Sequence, residues 1–214
     1  MIQAVLFDLD GTFADTAPDL SYAINLMREA RGLPPVPAEK TRPVTSSGAR
    51  GLLGAGFGIT PDHAEFAAMR VEFLNLYEAN LCRETCLFEG IAELVQALET
   101  RGLTWGIVTN KAERFALPLM RLLGYSARAA CVIGGDTTGR LKPHPEPLYA
   151  AASAIHIAPE RCIYMGDDQR DVQAGKAAGM KTIAVRYGYL HGSDPVSWGA
   201  DAVIDTPLDI LRFI

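Results

Sequence analysis

Residues Ala4–Thr12 have the sequence AVLFDLDGT, the clearest structural signal in the chain. The apolar run Ala4–Phe7 does not alternate with polar residues, which is typical of a strand buried on both faces of a parallel sheet. Asp8 and Asp10 follow, and side chains two residues apart on a strand point to the same side. Two close carboxylates repel each other and lose solvation unless a cation or a shared proton compensates them. The stretch therefore predicts an oxygen-ligand metal site with catalytic carboxylates at the end of a parallel strand.

The composition restricts the classes of protein to which the chain can belong. It has 214 residues, of which 49% are hydrophobic, and a formal net charge of −5. This length and apolar content suit one large core, or a core with a small companion domain. The charge is mildly negative and the chain has no basic stripe, so we expect no nucleic-acid partner.

The apolar segments are too short for a membrane protein. None approaches the roughly 20 residues of a membrane-spanning helix, so we expect no membrane partner. The N-terminus has no basic segment before its short apolar run, unlike a secretory signal peptide. We therefore expect a cytoplasmic location, while the composition makes no prediction of the oligomeric state.

Apolar runs and helical patterns alternate through the second half of the chain. Further strands are predicted at Thr104–Thr109, Ala129–Ile133, Cys162–Met165, Thr182–Val185 and Ala202–Ile204. Helical patterns separate most of these strands, at Ile91–Arg101, Glu113–Leu123, Pro147–Ile155 and Val172–Ala178. Strands that alternate with helices form parallel units with helices on both faces of the sheet. We therefore predict an α/β fold with a three-layer, Rossmann-like parallel sheet.

The segment between the first strand and residue 85 has a different character. Helical spacing of apolar residues covers Ala17–Arg31 and Pro61–Leu81, with prolines and a glycine-rich stretch between them. No strand is evident in this segment. We therefore predict an all-helical insertion at residues 15–84 and a core made of residues 1–14 and 85–214.

Two further motifs have residue types that suit the binding of an anion. The Thr109 hydroxyl and the backbone N–H groups from Asn110 onward precede a helix, and a helix N-terminus binds anions readily. An ordinary helix cap is the alternative interpretation. Lys142 is followed by Pro143, which restricts the backbone and suits a lysine held beside a phosphate. The alternative there is an exposed loop lysine.

Three acidic residues follow the predicted strand Cys162–Met165. They are Asp167, Asp168 and Asp171, and Mg²⁺ prefers such oxygen ligands. The alternative interpretation of these acids is an ordinary helix N-terminus, where acidic residues are common. For the Asp-Gly pair of the first motif, the alternative is a surface turn. All four motifs nevertheless fall at the carboxyl ends of predicted parallel strands, the edge where α/β sheets bind ligands. Their common position favours a single binding site.

Together the four motifs resemble those of the haloacid dehalogenase superfamily, in its phosphatase branch. The matching residues are Asp8-x-Asp10-Gly11-Thr12-x-x-Asp15-Thr16, Thr109-Asn110, Lys142-Pro143 and Gly166-Asp167-Asp168-x-x-Asp171. Phe13 stands where many members carry leucine. Within the branch the chain most resembles phosphoglycolate phosphatases, and the N-acetylmuramic acid 6-phosphate phosphatases of peptidoglycan recycling are the alternative.

The resemblance implies a Mg²⁺-dependent phosphomonoester hydrolase that acts on a small phosphorylated metabolite. Asp8 would attack phosphorus and become an aspartyl phosphate, while Asp10 would act as general acid and then as general base. Mg²⁺ would be held by Asp8, the backbone carbonyl of Asp10, and Asp167. Its water ligands would be oriented by Asp171 and Asp168.

The resemblance also assigns the phosphate and the leaving group to different parts of the chain. The helical insertion would be a C1-type cap that closes over the substrate. The phosphate oxygens would bind Thr109, Asn110 and Lys142. Specificity would belong to a cap loop that contains Ser47, Gly48 and Arg50. For Arg50, a solvated arginine at a helix start is the alternative.

Other activities use related chemistry on the same fold. A dehalogenase would share the nucleophile but needs no proton donor at position 10, so Asp10 argues against it. A phosphoglucomutase-type enzyme would form the same aspartyl phosphate and transfer the phosphoryl group back to the sugar. A non-catalytic binding module is disfavoured because all the expected catalytic side chains are present.

Overall fold

A six-stranded parallel sheet forms the centre of the protein in the computed structural model, which describes residues 1–214. The strands of the whole chain are β1 (Ala4–Phe7), β2 (Ala14–Asp15), β3 (Cys86–Leu87), β4 (Thr104–Val108), β5 (Val132–Ile133), β6 (Cys162–Gly166), β7 (Lys181–Val185) and β8 (Ala202–Ile204). The sheet has the order β5-β4-β1-β6-β7-β8, and every neighbouring pair is parallel. The predicted Rossmann-like sheet is therefore confirmed.

Eight α-helices connect and cover the strands. They are α1 (Ala17–Glu29), α2 (Ala38–Thr41), α3 (Gly48–Phe57), α4 (Phe66–Ala79), α5 (Ile91–Thr100), α6 (Glu113–Leu122), α7 (Glu146–Ala154) and α8 (Gln169–Ala177). α5 and α6 pack on one face of the sheet, and α7 and α8 pack on the other. The predicted three-layer arrangement follows from this packing. None of the helices has the length and apolar character that a membrane crossing requires.

β1 lies between β4 and β6, and all of its residues are fully buried. Val5 and Phe7 belong to the hydrophobic cluster with α5 and α6, whereas Ala4 and Leu6 belong to the cluster with α7 and α8. Burial on both faces explains why the apolar run does not alternate with polar residues. The strand therefore ends, at Asp8, in the middle of the sheet edge.

Predicted and observed elements differ mainly at their ends. The strand predicted at Ala129–Ile133 is limited to β5, and the helix predicted at Pro61–Leu81 is limited to α4. The glycine-rich stretch forms α3, although glycine disfavours helices. One of its glycines has a packing role, because a Cβ at Gly56 would lie 2.6 Å from Ile24 Cγ1 on α1. Close approach of two helices therefore explains part of the glycine content.

Helices α1, α3 and α4 share a hydrophobic cluster of their own, which includes Leu52 and Phe73. The prediction that residues 15–84 contain no strand is wrong at the first residue, because Asp15 belongs to β2 and pairs with Cys86. We interpret the insertion as a cap joined to the core through this short antiparallel pair.

Candidate active site

The carboxyl ends of three neighbouring strands meet at one edge of the sheet. β1 is followed by Asp8, β4 by Thr109, and β6 ends at Gly166 with Asp167 directly after it. The side chains of the aspartates and the threonine are all buried. Because neighbouring parallel strands end at the same edge, these polar groups form one site.

Lys142 reaches this edge from the loop before α7, and only 4% of its surface is exposed. Its ammonium donates hydrogen bonds to Asp8 Oδ1 and to Asp171 Oδ1, both at 2.8 Å. It also contacts the Val108 carbonyl at 3.0 Å and the Tyr164 hydroxyl at 2.6 Å. The structure therefore excludes the alternative of an exposed loop lysine.

Asn110 fixes the backbone of Lys142 at this position. Its Nδ2 donates to the Lys142 carbonyl at 3.0 Å, and its Oδ1 accepts a hydrogen bond from the Lys142 N–H at 2.9 Å. The neighbouring Thr109 Oγ1 accepts a hydrogen bond from the Lys111 N–H at 3.1 Å, which leaves the hydroxyl proton free to donate. The two predicted phosphate-binding motifs are thus tied to each other.

Buried carboxylates of Asp8, Asp167 and Asp171 offer oxygens that all lie within 4.8 Å of one another. Burial, opposed by Lys142, raises the pKa of Asp8 from 3.8 to about 7. Burial and the neighbouring charge of Asp8 raise the pKa of Asp167 well above its ordinary value. The lysine alone leaves the cluster with an excess of negative charge. Such a set of oxygen ligands fits a divalent cation like Mg²⁺.

Glycines allow the chain to pass close to Asp167. A Cβ at Gly188 would lie 2.2 Å from the Asp167 Cβ, and a Cβ at Gly11 would lie 2.2 Å from Asp167 Oδ2. Gly11 also has a φ of +93°, which disfavours any other residue. The Asp167 carboxylate itself accepts hydrogen bonds from the Tyr189 N–H at 2.9 Å and the Thr12 hydroxyl at 3.2 Å. Its position is therefore fixed from several sides.

Asp10 has a different environment from Asp8. The Lys111 ammonium donates to Asp10 Oδ1 at 2.8 Å, and the Thr16 hydroxyl donates to the same oxygen at 2.5 Å. The other oxygen, Oδ2, makes no hydrogen bond within the protein. One oxygen of Asp10 is thus held in place while the other is free to face a substrate.

A sequence model of the family described as haloacid dehalogenase-like hydrolase matches residues 5–185, which is most of the chain. The chain belongs to the haloacid dehalogenase-like hydrolases. It is 46% identical over 211 residues to the N-acetylmuramic acid 6-phosphate phosphatase of Pseudomonas aeruginosa, with 98% of this chain and 93% of the relative covered. It is also 46% identical over 206 residues to a phosphoglycolate phosphatase of Xanthomonas campestris pv. campestris, with 96% of this chain and 93% of the relative covered.

A solved crystal structure has the same architecture as this chain. It is a crystal structure from Haemophilus somnus described as a "predicted phosphoglycolate phosphatase". The TM-score is 0.87 at 26% sequence identity, and the match covers 99% of this chain and 97% of that chain. The resemblance that the sequence motifs indicated is confirmed, and so is the fold class.

In this hydrolase a cavity of about 700 Å³ contains Asp8 and Asp10 in its lining. The predicted specificity residues Ser47, Gly48 and Arg50 line the same cavity. The Ser47 hydroxyl also contacts the Nε2 of His191, an exposed residue of the loop after β7, at 2.7 Å. Arg50 is exposed and makes no ion pair or side-chain hydrogen bond within the protein. Its role in specificity stays a prediction.

The structure separates Asp168 from the other acidic residues of its motif. Asp168 caps the N-terminus of α8 and forms a salt bridge with Arg170 at 2.8 Å. Although burial acts in the opposite direction, the hydrogen bonds from Arg170 lower the pKa of Asp168. Arg170 also donates to the Ser46 carbonyl at 2.9 Å, so Asp168 lies close to a contact between α8 and the helical insertion.

Sequence reasoning missed several polar residues of this site: Lys111, Tyr164, Arg170, Tyr189 and His191. Lys111 directly follows the Thr109-Asn110 motif, so its position near the site had a sequence signal. Tyr164 lies on β6, where alternation places it two residues from Gly166 on the same face. The residues of the loop after β7 have no such pattern, and only the tertiary structure brings them to the site.

Proposed function

We propose that the protein hydrolyses phosphomonoesters of small metabolites through an aspartyl phosphate on Asp8. The observation that carries this proposal is the buried Asp8 carboxylate, paired with Lys142 at 2.8 Å and lining a cavity beneath the helical insertion. A carboxylate in this position can attack phosphorus, while the lysine neutralises charge on the phosphoryl oxygens. The family membership and the names of the relatives support the same reaction.

The reaction would proceed in two steps that use the same acid–base residue. An Asp8 oxygen forms a bond to phosphorus, the ester P–O bond breaks, and Asp10 gives a proton to the leaving oxygen. A water molecule then attacks phosphorus, Asp10 accepts a proton from that water, and the bond between Asp8 and phosphorus breaks to release phosphate. Lys111 and Thr16 hold one oxygen of Asp10, so the other oxygen can make both proton transfers.

The phosphoryl oxygens would be bound by backbone and side-chain donors next to Asp8. The Thr109 hydroxyl proton is free to donate, since its oxygen accepts from Lys111. The Asn110 N–H makes no hydrogen bond within the protein and can donate to a phosphate. The Lys142 ammonium supplies the positive charge, which compensates the charge of the transition state.

Mg²⁺ is the cofactor that the donor set fits. We propose that the side chains of Asp8 and Asp167 and the backbone carbonyl of Asp10 would hold it. Asp171, which lies beside Asp8 and Asp167, would orient its water ligands through hydrogen bonds, whereas the Asp168 carboxylate is paired with Arg170. When bound, Mg²⁺ would neutralise negative charge on the phosphate and on the carboxylates.

The substitution Asp8→Asn tests this function. We expect phosphate release from p-nitrophenyl phosphate and from metabolite phosphates to fall to background, because an amide does not attack phosphorus. Asp62→Asn is the matched control, since Asp62 is an exposed acid, and it should keep the wild-type rate. Turnover retained by Asp8→Asn would remove Asp8 as nucleophile. A wild-type protein that forms sugar phosphate isomers without free phosphate would be a mutase instead.

The substrate is a separate question, with 2-phosphoglycolate as the first candidate. The cavity of about 700 Å³ has room for this molecule and also for a second candidate of sugar-phosphate size. N-acetylmuramate 6-phosphate is such a substrate, and Arg50 at the cavity wall could pair with its carboxylate. Comparison of kcat/KM for the two compounds, with wild type and Arg50→Ala, distinguishes the candidates.

A further inference from the structure

Tyr77 carries a buried hydroxyl that has no hydrogen-bond partner within the protein. The residue lies on α4, and only 1% of its surface is exposed. An unpaired buried hydroxyl is unfavourable, and nearly all such groups in folded proteins are paired. Tyr77 also lines the cavity that contains Asp8 and Asp10. Tyr77 is therefore a wall residue of this cavity whose hydroxyl the protein itself leaves unpaired.

A second polar group stands beside the Tyr77 ring. The Lys111 Nζ lies 4.7 Å from the ring centroid, and the same atom donates to Asp10 Oδ1 at 2.8 Å. A lysine ammonium has three N–H donors, and the salt bridge to Asp10 uses one of them. The Phe115 ring packs against Tyr77 with a centroid distance of 5.5 Å, which limits the movement of the phenol. A fixed hydroxyl and an ammonium with spare donors thus lie next to the proposed acid.

We infer that the Tyr77 hydroxyl and the Lys111 ammonium bind an acceptor oxygen of the leaving group, on the carbon next to the ester carbon. This inference rests on the proposed function, in which Asp10 protonates the ester oxygen. The ester oxygen must lie within hydrogen-bond distance of the Asp10 carboxylate, which protonates it. The Lys111 ammonium lies one hydrogen-bond length, 2.8 Å, from the same carboxylate. The two oxygens of an O–C–C–O unit are also about one hydrogen-bond length apart. The subsite therefore selects phosphomonoesters that contain this unit.

The two candidate substrates share this feature despite their different size. In 2-phosphoglycolate the carbon next to the ester carbon is the carboxylate carbon itself, so the acceptor is a carboxylate oxygen. In N-acetylmuramate 6-phosphate the corresponding carbon carries the ring oxygen. Ethyl phosphate has the same carbon chain as 2-phosphoglycolate and lacks the acceptor oxygen. The subsite thus recognises the O–C–C–O unit that the two leaving groups share. The parts of the leaving groups that differ would contact the remainder of the cavity.

The experiment compares wild type with Tyr77→Phe, which removes the hydroxyl and keeps the ring. The measured quantity is the ratio of kcat/KM for 2-phosphoglycolate, or for N-acetylmuramate 6-phosphate, to kcat/KM for ethyl phosphate. We expect this ratio to fall about tenfold in Tyr77→Phe, because sites built to pair a polar substrate group discriminate strongly against analogues without it. The control Tyr22→Phe alters an exposed tyrosine on α1 and should leave the ratio unchanged. A ratio unchanged in Tyr77→Phe for both substrates would overturn the inference.

Thermal unfolding of the ligand-free protein gives a second, independent measurement. Tyr77→Phe should have the same midpoint as wild type or a higher one, because it removes an unpaired buried hydroxyl. A midpoint several degrees lower would mean that the hydroxyl stabilises the fold, and would overturn its assignment to the substrate. Failure of the proposed function has a different signature, in which wild type releases no phosphate from any of these esters.

Discussion

At the scale of single residues, Asp8 combines burial with incomplete compensation of its charge. Only 7% of the residue is exposed, and burial raises its pKa from 3.8 to about 7 although Lys142 opposes the shift. In the unfolded chain the same carboxyl ionises near its ordinary pKa, so the folded state binds the proton more tightly. The stabilising effect of this proton is complete below about pH 4 and is lost as the pH rises to about 7.

We therefore predict that Asp8→Asn is more stable than wild type at pH 8 in the presence of EDTA, because asparagine does not ionise. The difference should be small near the ordinary pKa of aspartate, grow with pH, and become constant above about pH 7. A shift of one pKa unit corresponds to about 1.4 kcal/mol in the free energy of unfolding. Since 1 kcal/mol changes the thermal midpoint by about 2–4 °C, we expect the two midpoints to differ by several degrees. Thermal unfolding followed by circular dichroism across this pH range measures the difference.

The exposed Asp62→Asn variant is again the control for this titration. Its midpoint should follow that of wild type at every pH, because its carboxylate is hydrated in the folded and the unfolded chain. A constant difference between Asp8→Asn and wild type across the pH range would contradict the assignment of the effect to ionisation of Asp8.

The site residues that the sequence located best are those that directly follow a strand. Asp8 and Asp167 come directly after buried strands, so the topology alone brings them to one edge. The sequence did not indicate that Lys111 lies beside the Tyr77 ring, because this contact depends on how α4 lies against the core. In the sequence, Tyr77 is one position of the apolar stripe of a helix. Periodicity does not distinguish a core tyrosine from one whose hydroxyl lines a cavity.

At the scale of elements, the N-terminus of α1 is capped by a residue distant in sequence. The Tyr189 hydroxyl accepts hydrogen bonds from the N–H groups of Thr16 and Ala17, at 2.8 and 2.9 Å, and donates to Asp15 Oδ1 at 2.9 Å. The Thr16 side chain does not cap the helix, since its hydroxyl donates to Asp10. One buried phenol thus pairs the free N–H groups of the helix and joins the insertion to the core.

We predict that Tyr189→Phe destabilises the protein by about 1–3 kcal/mol, because it leaves buried backbone N–H groups unpaired. The thermal midpoint should fall by about 2–4 °C for each kcal/mol. The control is Tyr149→Phe, whose exposed hydroxyl makes a single hydrogen bond to the Ala177 carbonyl at 3.0 Å. That substitution should change the stability by less than about 0.5 kcal/mol. Equal midpoints for Tyr189→Phe and wild type would show that water replaces the phenol at the helix terminus.

At the scale of the whole molecule, separate hydrophobic clusters cover the two faces of the sheet and fill the helical insertion. The sheet and its layers were predictable because buried strands and amphipathic helices have local sequence patterns. The position of the insertion on the core was not, since it depends on contacts between distant residues. Two such contacts are the hydrogen bond from Arg170 to the Ser46 carbonyl and the hydrogen bond between the Ser47 hydroxyl and His191. Neither has a pattern in the sequence that would have predicted it.

The acidic cluster predicts that Mg²⁺ stabilises the whole molecule. The chain has a formal net charge of −5, and its buried carboxylates at Asp8, Asp167 and Asp171 repel each other. A ligand that binds only the folded state stabilises it by about 2.7 kcal/mol when its concentration is 100 times its Kd. Since 1 kcal/mol corresponds to about 2–4 °C, we expect millimolar MgCl₂ to raise the thermal midpoint of the EDTA-treated protein by several degrees.

The substitution Asp167→Asn separates this effect from general ionic screening. It removes a carboxylate from the cluster, so the rise in midpoint with MgCl₂ should be lost or strongly reduced. Wild type in NaCl of the same ionic strength should show little change, because the cluster is buried and salt screens mainly exposed charges. Asp62→Asn should keep the full response to MgCl₂. An equal rise in Asp167→Asn and wild type would mean that the ion binds elsewhere, and the acidic cluster would then owe its close approach to Lys142 alone.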